Sequence, residues 1–431
     1  RQMCIRDSYM TGTMYLAAEL SFNYFLINKD NIMDKLIYMD NAATTSTAPE
    51  VVSAMLPFFT EYYGNPSSVY NFAQKSKMAI EDAREIIADS IGAAKSNEIY
   101  FTGGGSESDN WALKSAAFGL RDKGNHIITT KIEHHAILNT CAYLERNGFE
   151  VTYLDVDSEG FVSLEDVKNA ITDKTILISV MFANNEIGTI EPVREIGEIA
   201  HKHGILFHTD AVQAMCHVPI NVTEMNIDLL SASAHKFHGP KGVGFMYMKN
   251  TAKLEPFIHG GAQERARRAG TSNVPGIVGM GQAVKLALCT LDKDTHTIIN
   301  MRNYIVDRIL GEIPDVTFDG PCIDANADVN AVSVGLPMCS LNRLPSNMHF
   351  CFKDVSGDSL LIMLDMNGIC ASSGSACAAG SIAPSHVLLA IGRSSDEAKG
   401  ALRLSIDKDL TKEDADYAID ALKAAVARLR R

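Results

Sequence analysis

The sequence lacks an uncharged apolar run long enough to cross a membrane. Its longest apolar stretches, such as residues 175–183, have the length of a strand, whereas a transmembrane helix needs about 20 residues. The chain has 431 residues, of which 46% are hydrophobic, so it can bury one large core or two unequal ones. These features predict a soluble globular protein that does not interact with a membrane.

Basic patches are scarce as well. The formal net charge is −13 and the pI is about 5.5, and the basic residues are dispersed except for Arg265, Arg267 and Arg268. This charge balance argues against direct binding of nucleic acid. Small anionic ligands remain compatible with it.

Cysteine spacing typical of metal sites is also missing. The nine cysteines include no C-x-x-C pair, whereas zinc sites and disulfide frameworks have regular spacings. The sequence therefore predicts no metal site, and a reducing cytoplasm as the location.

The N-terminal segment is treated separately from the fold. Its first eight residues, RQMCIRDS, resemble a translated sequencing-library adapter, and Met33 is a plausible natural start. Residues 1–32 are therefore predicted to be a non-native or disordered leader. A signal peptide is disfavoured because Glu19 interrupts the apolar run and no clear cleavage site follows.

Between residues 98 and 250, short β-rich runs alternate with amphipathic helical segments. One helical segment has Pro192 at its start and Gly204 at its end. Alternation of this kind predicts an α/β fold with a mostly parallel central sheet flanked by helices. Seven runs are predicted to be strands: EIYFT, HIITT, EVTYLDV, TILISVMF, ILFHTDA, IDLLSAS and GVGFMYMK.

The pattern changes near residue 275, where long helical stretches begin. A smaller α+β domain is predicted for residues 275–431, beside a large ligand-binding domain at residues 51–274. Residues 33–50 are predicted to join the small domain.

A glycine-rich stretch, GGGSESDN, follows the first predicted strand and opens a helix. Backbone amides and the helix dipole would favour a phosphate at Gly105 and Ser106. A tight turn in which Ser106 only caps the helix explains the same residues equally well.

Three further strand ends carry polar residues, and each has a structural alternative. His134 could stack on a flat cofactor, although a histidine there is more often structural. Asn185 could donate to a ligand or cap a turn. A buried Asp210 needs a facing cation or donor, and a helix cap or ion pair is its commoner role.

Lys236 ends another strand run, in SASAHKFHGPKG. Burial disfavours an ammonium group, and lowering its pKa from about 10.4 to about 7 corresponds to roughly 4 to 5 kcal/mol. Such an amine can attack an aldehyde, and Ser233 and His235 could bind a phosphate beside it. Together with the loop at Gly105 and the aspartate at 210, this pattern predicts a pyridoxal 5'-phosphate site.

Eight motifs occur in the order of a known family. They are YMDNAATT, TGGGSESDN, EHHAIL, NNEIGT, HTDAVQ, SASAHKFHGPKG, RRAGTSN and SSGSAC. On these motifs the chain resembles the cysteine desulfurases of the NifS/IscS branch, within the class V aminotransferase group of pyridoxal-phosphate enzymes of fold type I. The resemblance runs from about Ile37 to the C-terminus.

The resemblance implies a role for each matching residue. Lys236 would hold the cofactor covalently, His134 would stack on its ring, Asp210 would pair with the ring nitrogen and Gln213 would contact the ring hydroxyl. Asn185 and Arg403 would hold the substrate carboxylate, Arg403 through a two-pronged pair, with Asn41 nearby. The implied phosphate ligands are Gly105, Ser106, Ser233, His235 and, from the second subunit of a homodimer, Thr271.

The resemblance also implies a catalytic thiol, Cys377, in SSGSAC. It would take the sulfur of L-cysteine as a persulfide, leave L-alanine, and pass the sulfur to an acceptor or scaffold protein for iron-sulfur cluster assembly or tRNA thiolation. A buried structural thiol is the alternative for any single cysteine. An aminotransferase or lyase acting on another amino acid, and an inactive scaffold protein, are the alternative functions.

The sequence departs from the family pattern in several places, among them Gly105-Ser106 in place of a frequent Ala-Thr and charged residues after Arg403. Ala262 and Ala266 replace frequent glycines, which makes the placement of Thr271 less certain, and residues 322–341 lengthen the chain relative to the family.

Overall fold

A computed structural model describes residues 36–252, 254–323, 341–374 and 384–431. The leader at residues 1–32, most of the lengthened region and Cys377 lie outside the described residues.

A seven-stranded sheet forms the centre of the large domain, and all seven predicted strands are present. They are β2 (Ile99–Thr102), β3 (His126–Thr130), β4 (Glu150–Leu154), β5 (Thr175–Ser179), β6 (Leu206–Asp210), β7 (Leu229–Ser233) and β8 (Gly244–Met248). Their order in the sheet is β2-β8-β7-β6-β5-β3-β4. The strands from β7 to β4 are parallel, and β8 runs antiparallel to both of its neighbours.

Both faces of this sheet are covered, because consecutive strand residues enter different cores. Leu177 and Leu229 belong to one buried cluster and their neighbours Ile178 and Leu230 to the other, as the alternating geometry of a strand requires. Among the described residues before the small domain, besides the short kinked segment Gln263–Ala266, the α-helices are α1 (Pro49–Met55), α2 (Pro57–Thr60), α3 (Asn71–Ser90), α4 (Gly105–Gly119), α5 (His135–Glu145), α6 (Leu164–Ala170) and α7 (Val193–Lys202).

The smaller α+β unit has its own sheet and core. Strands β9 (Val316–Phe318), β10 (Asn347–Phe352) and β12 (Ala401–Ser405) form an antiparallel sheet in the order β12-β10-β9. Its helices are α8 (Val274–Glu312), α9 (Gly357–Asp365), α10 (His386–Ala390), α11 (Ser395–Ala398) and α12 (Lys412–Leu429). The division at residues 274 and 275 stays a prediction.

Helix α8 links the two cores. Its first turns bury Ile277 and Val284 in the large core, and its last turns bury Ile305 and Ile309 in the small one. With 39 residues it is long and apolar enough to cross a membrane by length and composition. Its contacts with both cores explain its apolar character as that of a core helix.

The segment before α1 connects the small unit to the large one. Strand β1 (Ile37–Tyr38) pairs in parallel with β11 (Ile369–Cys370). Farther along, the backbone N–H of Ala42 donates to the Ser405 hydroxyl at 2.8 Å. The chain then passes beside the end of β7, where Thr45 N–H donates to His235 O at 2.9 Å.

Candidate active site

Parallel strands bring the predicted site residues to one edge of the sheet. Strand β6 ends at Asp210 and β7 ends at Ser233, directly before the single 3₁₀ turn Ala234–Lys236. His134 follows β3 and caps helix α5. Ligand sites in open α/β sheets lie beyond these carboxyl ends, so this edge is the candidate active site.

The glycine-rich loop forms a cradle at the N-terminus of α4. Gly104 has φ of +147°, and a Cβ on Gly105 would lie 2.5 Å from Val212 Cγ2, so both positions favour glycine. Beside the loop lies an open cleft of about 530 Å³. Thr44 and Lys241 line this cleft, and so do four of the predicted phosphate ligands. These four are Gly105, Ser106, Ser233 and His235.

An ion pair fastens the segment that precedes Thr271 to this cradle. The Arg268 guanidinium donates to both Glu107 oxygens, at 2.8 and 3.0 Å, and Glu107 also accepts the Gly103 N–H. Thr271 itself is exposed in the single chain and does not line the described cleft.

The same segment contains a strained turn. Ala266 has φ of +61°, as do its two predecessors at +43° and +57°, and a left-handed conformation costs an L-residue roughly 1–2 kcal/mol. Glu264 is held in this turn by Arg84, at 2.8 and 3.0 Å. Glycine, which the family frequently has at position 266, would therefore relieve strain there.

His134 and Asp210 lie close together at this edge of the sheet. A His134 ring nitrogen and an Asp210 carboxylate oxygen lie within 4.8 Å of each other. Burial raises the pKa of Asp210, while His134, the Val212 N–H and Lys236 oppose that rise. Burial lowers the pKa of His134, which favours a neutral ring there.

His235 faces the cradle as a neutral side chain. Burial, with Lys236 and Lys241 nearby, lowers its pKa to about 4. Its Nδ1 lies 3.1 Å from Thr44 Oγ1. A neutral imidazole can donate only one hydrogen bond, so His235 would offer a phosphate, as predicted, a directed donor rather than a charge.

The Lys236 amine is held by the N-terminal segment. Its Nζ donates to Ala42 O at 2.7 Å and to Ala43 O at 2.8 Å. Gln213 Nε2 donates to the same Ala42 oxygen at 2.9 Å. Lys236 and Gln213 are therefore brought together, and the amine is partly buried near Asp210.

Arg403 is buried at the boundary of the two units, with 1% of its surface exposed. Its Nη1 donates to the backbone oxygens of Asn185 and Gly374, and its Nη2 to Asp40 at 2.8 Å. The structure thus brings Arg403 and Asn185 together. Two-pronged binding of a substrate carboxylate by Arg403 stays a prediction, and it requires exchange of the Asp40 carboxylate.

Asn41 lies on the N-terminal segment, where its Nδ2 donates to Ser405 O at 3.0 Å. It therefore ties that segment to the small unit, next to the carbonyls that hold Lys236.

Two acidic residues at this edge escaped the sequence analysis. Asp40 pairs with Arg403, and no local pattern marked it. Asp109 had a readable signal, because it falls on the buried face of α4 with Ser108 and Ala112, where an acid is unusual.

The residues present fit pyridoxal 5'-phosphate. A Cβ on Gly105 would meet Val212 Cγ2 at 2.5 Å, so glycine is needed in this loop, which lies at a helix N-terminus that favours a phosphate. At the same edge of the sheet, the buried Asp210 carboxylate can pair with a protonated ring nitrogen, and the Lys236 amine lies close enough to lower the Asp210 pKa. The fit rests on the chemistry of these side chains and of the loop.

Comparison with known proteins agrees with this geometry. The profile of the family described as aminotransferase class V matches residues 37–418. Cysteine desulfurase IscS of Clostridium botulinum is 54% identical over 398 residues, covering 92% of this chain and 96% of the relative. That of Methanosarcina thermophila is 51% identical, covering 92% and 93%.

Solved structures share the fold. A NifS-like protein superposes with a TM-score of 0.82 at 35% identity, covering 91% of this chain and 100% of its own. SspA in complex with cysteine gives a TM-score of 0.72 at 38% identity, covering 86% and 99%.

The chain belongs to the aminotransferase class V family, and within it to the cysteine desulfurases of the NifS/IscS branch. The predicted family and the predicted fold type I are confirmed. The individual residue roles stay predictions.

Proposed function

We propose that the protein is a pyridoxal-phosphate-dependent L-cysteine desulfurase that produces L-alanine and carries the sulfur as a persulfide on Cys377. The observation that carries the proposal is that Lys236, His134 and Asp210 come together at the sheet edge that also carries the cradle at Gly105. An amine, a flat ring and a buried carboxylate beside a phosphate site form the donor set that this cofactor needs. The identity to cysteine desulfurases supports the choice of substrate.

Each side chain has a defined task in this proposal. Pyridoxal 5'-phosphate, when bound, supplies a ring that stabilises negative charge at the substrate α-carbon. Asp210 keeps a proton on the ring nitrogen through its carboxylate, and His134 packs on the ring face. The Lys236 amine takes the proton from the α-carbon and returns it, while Arg403 and Asn185 orient the substrate carboxylate.

Cys377 completes the sulfur transfer. Its thiolate attacks the substrate sulfur, so that an S–S bond forms as the Cβ–S bond breaks and the electron pair of that bond stays with the β-carbon. Protonation of that carbon gives alanine. Cys377 lies outside the described residues, but residues on both sides of its segment lie near the site. Gly374 O accepts from Arg403, and Ser385 Oγ donates at 2.5 Å to Glu186, whose carboxylate lies close enough to His134 to raise its pKa.

Purified protein supplied with L-cysteine and a thiol reductant is expected to release alanine and sulfide in equal amounts. Equal release follows because one Cβ–S bond breaks per turnover and the reductant frees the persulfide sulfur. Amino-acid analysis and a sulfide assay measure the two products. Release of pyruvate or of a keto acid instead would identify a lyase or an aminotransferase and reject the proposal.

We further propose a homodimer in which Thr271 reaches the partner's phosphate cradle. Large apolar side chains are exposed around α2 and the start of α3, which is typical of an interface. The most exposed are Val69 (95%), Tyr63 (69%), Met78 (62%), Phe59 (58%), Leu56 (57%) and Tyr70 (52%).

Sedimentation is expected to give twice the 46.9 kDa mass of the chain. Val69→Asp should shift the protein toward monomer, because it places a charge within the apolar surface. Leu389→Asp, at an exposed leucine of α10, is the matched control. A monomeric wild type, or a dimer that Val69→Asp leaves intact, would exclude this surface.

The acceptor and the location belong to the same proposal. We propose transfer to a scaffold for iron-sulfur clusters or to a tRNA-thiolating protein, in the cytoplasm. Six described cysteines have free thiols, which fits a reducing compartment: Cys141, Cys216, Cys289, Cys322, Cys351 and Cys370. Incubating ³⁵S-labelled persulfide enzyme with each candidate acceptor distinguishes the two pathways, and label that reaches neither would reject both.

A further inference from the structure

A second carboxyl group, that of Asp109, lies buried behind Asp210. It projects from helix α4 with 1% of the residue exposed, and its Oδ1 has no hydrogen-bond partner among the residues that the structure describes. The roles proposed above do not use it. An unpaired buried carboxylate oxygen is costly, so the charge state of Asp109 needs an explanation.

The groups that face Asp109 come from several elements. Carboxylate oxygens of Asp109 and Asp210 lie within 4.8 Å of each other, and a His134 ring nitrogen lies in the same group. The Glu133 carboxyl also faces Asp109, but burial raises its pKa to about 8, so it is protonated at pH 7 and adds no charge there. On the other side, His208 Nε2 is 3.8 Å from Asp109 Oδ1.

His208 does not compensate a charge on Asp109. It lies between two serine hydroxyls, with Nδ1 2.9 Å from Ser179 Oγ and Nε2 3.0 Å from Ser231 Oγ. Burial lowers its pKa to about 3, so the ring is neutral at pH 7.

Two carboxylates this close in a buried site do not both ionise. Asp210 is the better place for the charge, because it accepts the Val212 N–H at 2.9 Å and is attracted by Lys236. Asp109 receives a hydrogen bond from Ser231 but is repelled by the Asp210 carboxylate. The proton therefore belongs on Asp109.

We propose that Asp109 is a positioning residue that stays protonated and so confines the single negative charge of the buried pair to Asp210. If the protein has the function proposed above, this charge faces the ring nitrogen of the cofactor. That part of the inference rests on the proposed function. Burial, followed by repulsion from Asp210, raises the pKa of Asp109 well above its usual range, which agrees with the geometry.

The proton has a consequence for stability that needs no cofactor. Since the folded-state pKa of Asp109 is above the unfolded value of about 3.9, the folded protein holds a proton that the unfolded chain has lost. Stability therefore falls as pH rises from that unfolded value toward the folded one. Asp109→Asn keeps the shape without the ionisable group, so its urea midpoint should fall less over this range.

Infrared difference spectroscopy of cofactor-free protein tests the proton directly. At pH 7 the wild type minus Asp109→Asn spectrum should show the carbonyl band of a protonated carboxyl group. The difference removes the signal of Glu133, whose pKa burial raises to about 8. Asp109→Ala, which also lacks the carboxyl, should give the same band, and its absence from both differences overturns the proposal.

Cofactor binding supplies the second measurement. Asp109→Asn should bind pyridoxal 5'-phosphate within about threefold of wild type, since both side chains are neutral, whereas Asp210→Asn should bind at least ~30-fold more weakly. If Asp109→Asn weakens binding as much as Asp210→Asn, the charge lies on Asp109 and the proposal is wrong. A wild type that does not bind the cofactor rejects the proposed function, and the infrared and urea measurements still decide the state of Asp109.

Discussion

Lys236→Ala is expected to abolish the visible absorption band of the cofactor-loaded protein and to lower desulfurase activity by at least ~10³-fold. The amine is the only group of this residue that can bind an aldehyde covalently, and it is also the proposed proton carrier at the substrate α-carbon, a role that contributes about 10²–10⁴-fold by itself. Its place between the Ala42 and Ala43 carbonyls and near Asp210 supports both roles. Absorption spectra and alanine release measure the two effects.

A second variant separates chemistry from packing, because alanine also removes two hydrogen bonds to the N-terminal segment. Lys236→Arg keeps a positive charge and donors for those carbonyls but cannot attack an aldehyde, since its guanidinium stays protonated. It should lose the band as well. Lys202→Ala, at an exposed lysine of α7, is the control that should retain it, and a wild-type spectrum for Lys236→Arg would remove Lys236 from its role.

Cys377→Ser is expected to lower sulfide release by at least ~100-fold while leaving the cofactor band in place. A serine hydroxyl stays protonated at neutral pH and cannot form a persulfide, so the Cβ–S bond of the substrate would have no sulfur nucleophile to break it. Cofactor binding should persist because its proposed ligands lie on the large domain. Sulfide assays and absorption spectra measure the two properties separately.

Cys289→Ser provides the matched control, because Cys289 is an exposed thiol on α8 in the same chain. It should keep wild-type turnover, and alkylation of the cysteine-treated protein followed by mass spectrometry should place the extra sulfur on Cys377. Full turnover by Cys377→Ser would show that the persulfide step proposed here is wrong.

Strand order along the chain predicted much of the fold, because strand-length apolar runs alternated with amphipathic segments. Each predicted strand of the large sheet occurs within its expected run. The antiparallel direction of β8 was not predictable in this way, since residues 244–248 are buried and apolar throughout and a buried strand has no pattern that marks its direction.

Site residues on the large domain were predictable because they follow strands whose ends share one edge. Contacts between residues hundreds of positions apart in the sequence were not predictable. Asp40 meets Arg403 across 363 positions, and no local pattern encodes that contact. Asp109 was partly predictable. Its position on the buried face of α4 could be inferred from the sequence, but its proximity to Asp210 could not.

The contacts of residues 41–43 also constrain how the chain folds during synthesis. These residues leave the ribosome early, yet their partners are Lys236, about 190 positions later, and Ser405, about 360 positions later. The stretch that holds the reactive amine therefore cannot complete its contacts until nearly the whole polypeptide has been translated. Premature termination between residues 275 and 404 would leave this stretch without its contacts to Ser405, even though every ligand proposed for the phosphate and the ring had already been made.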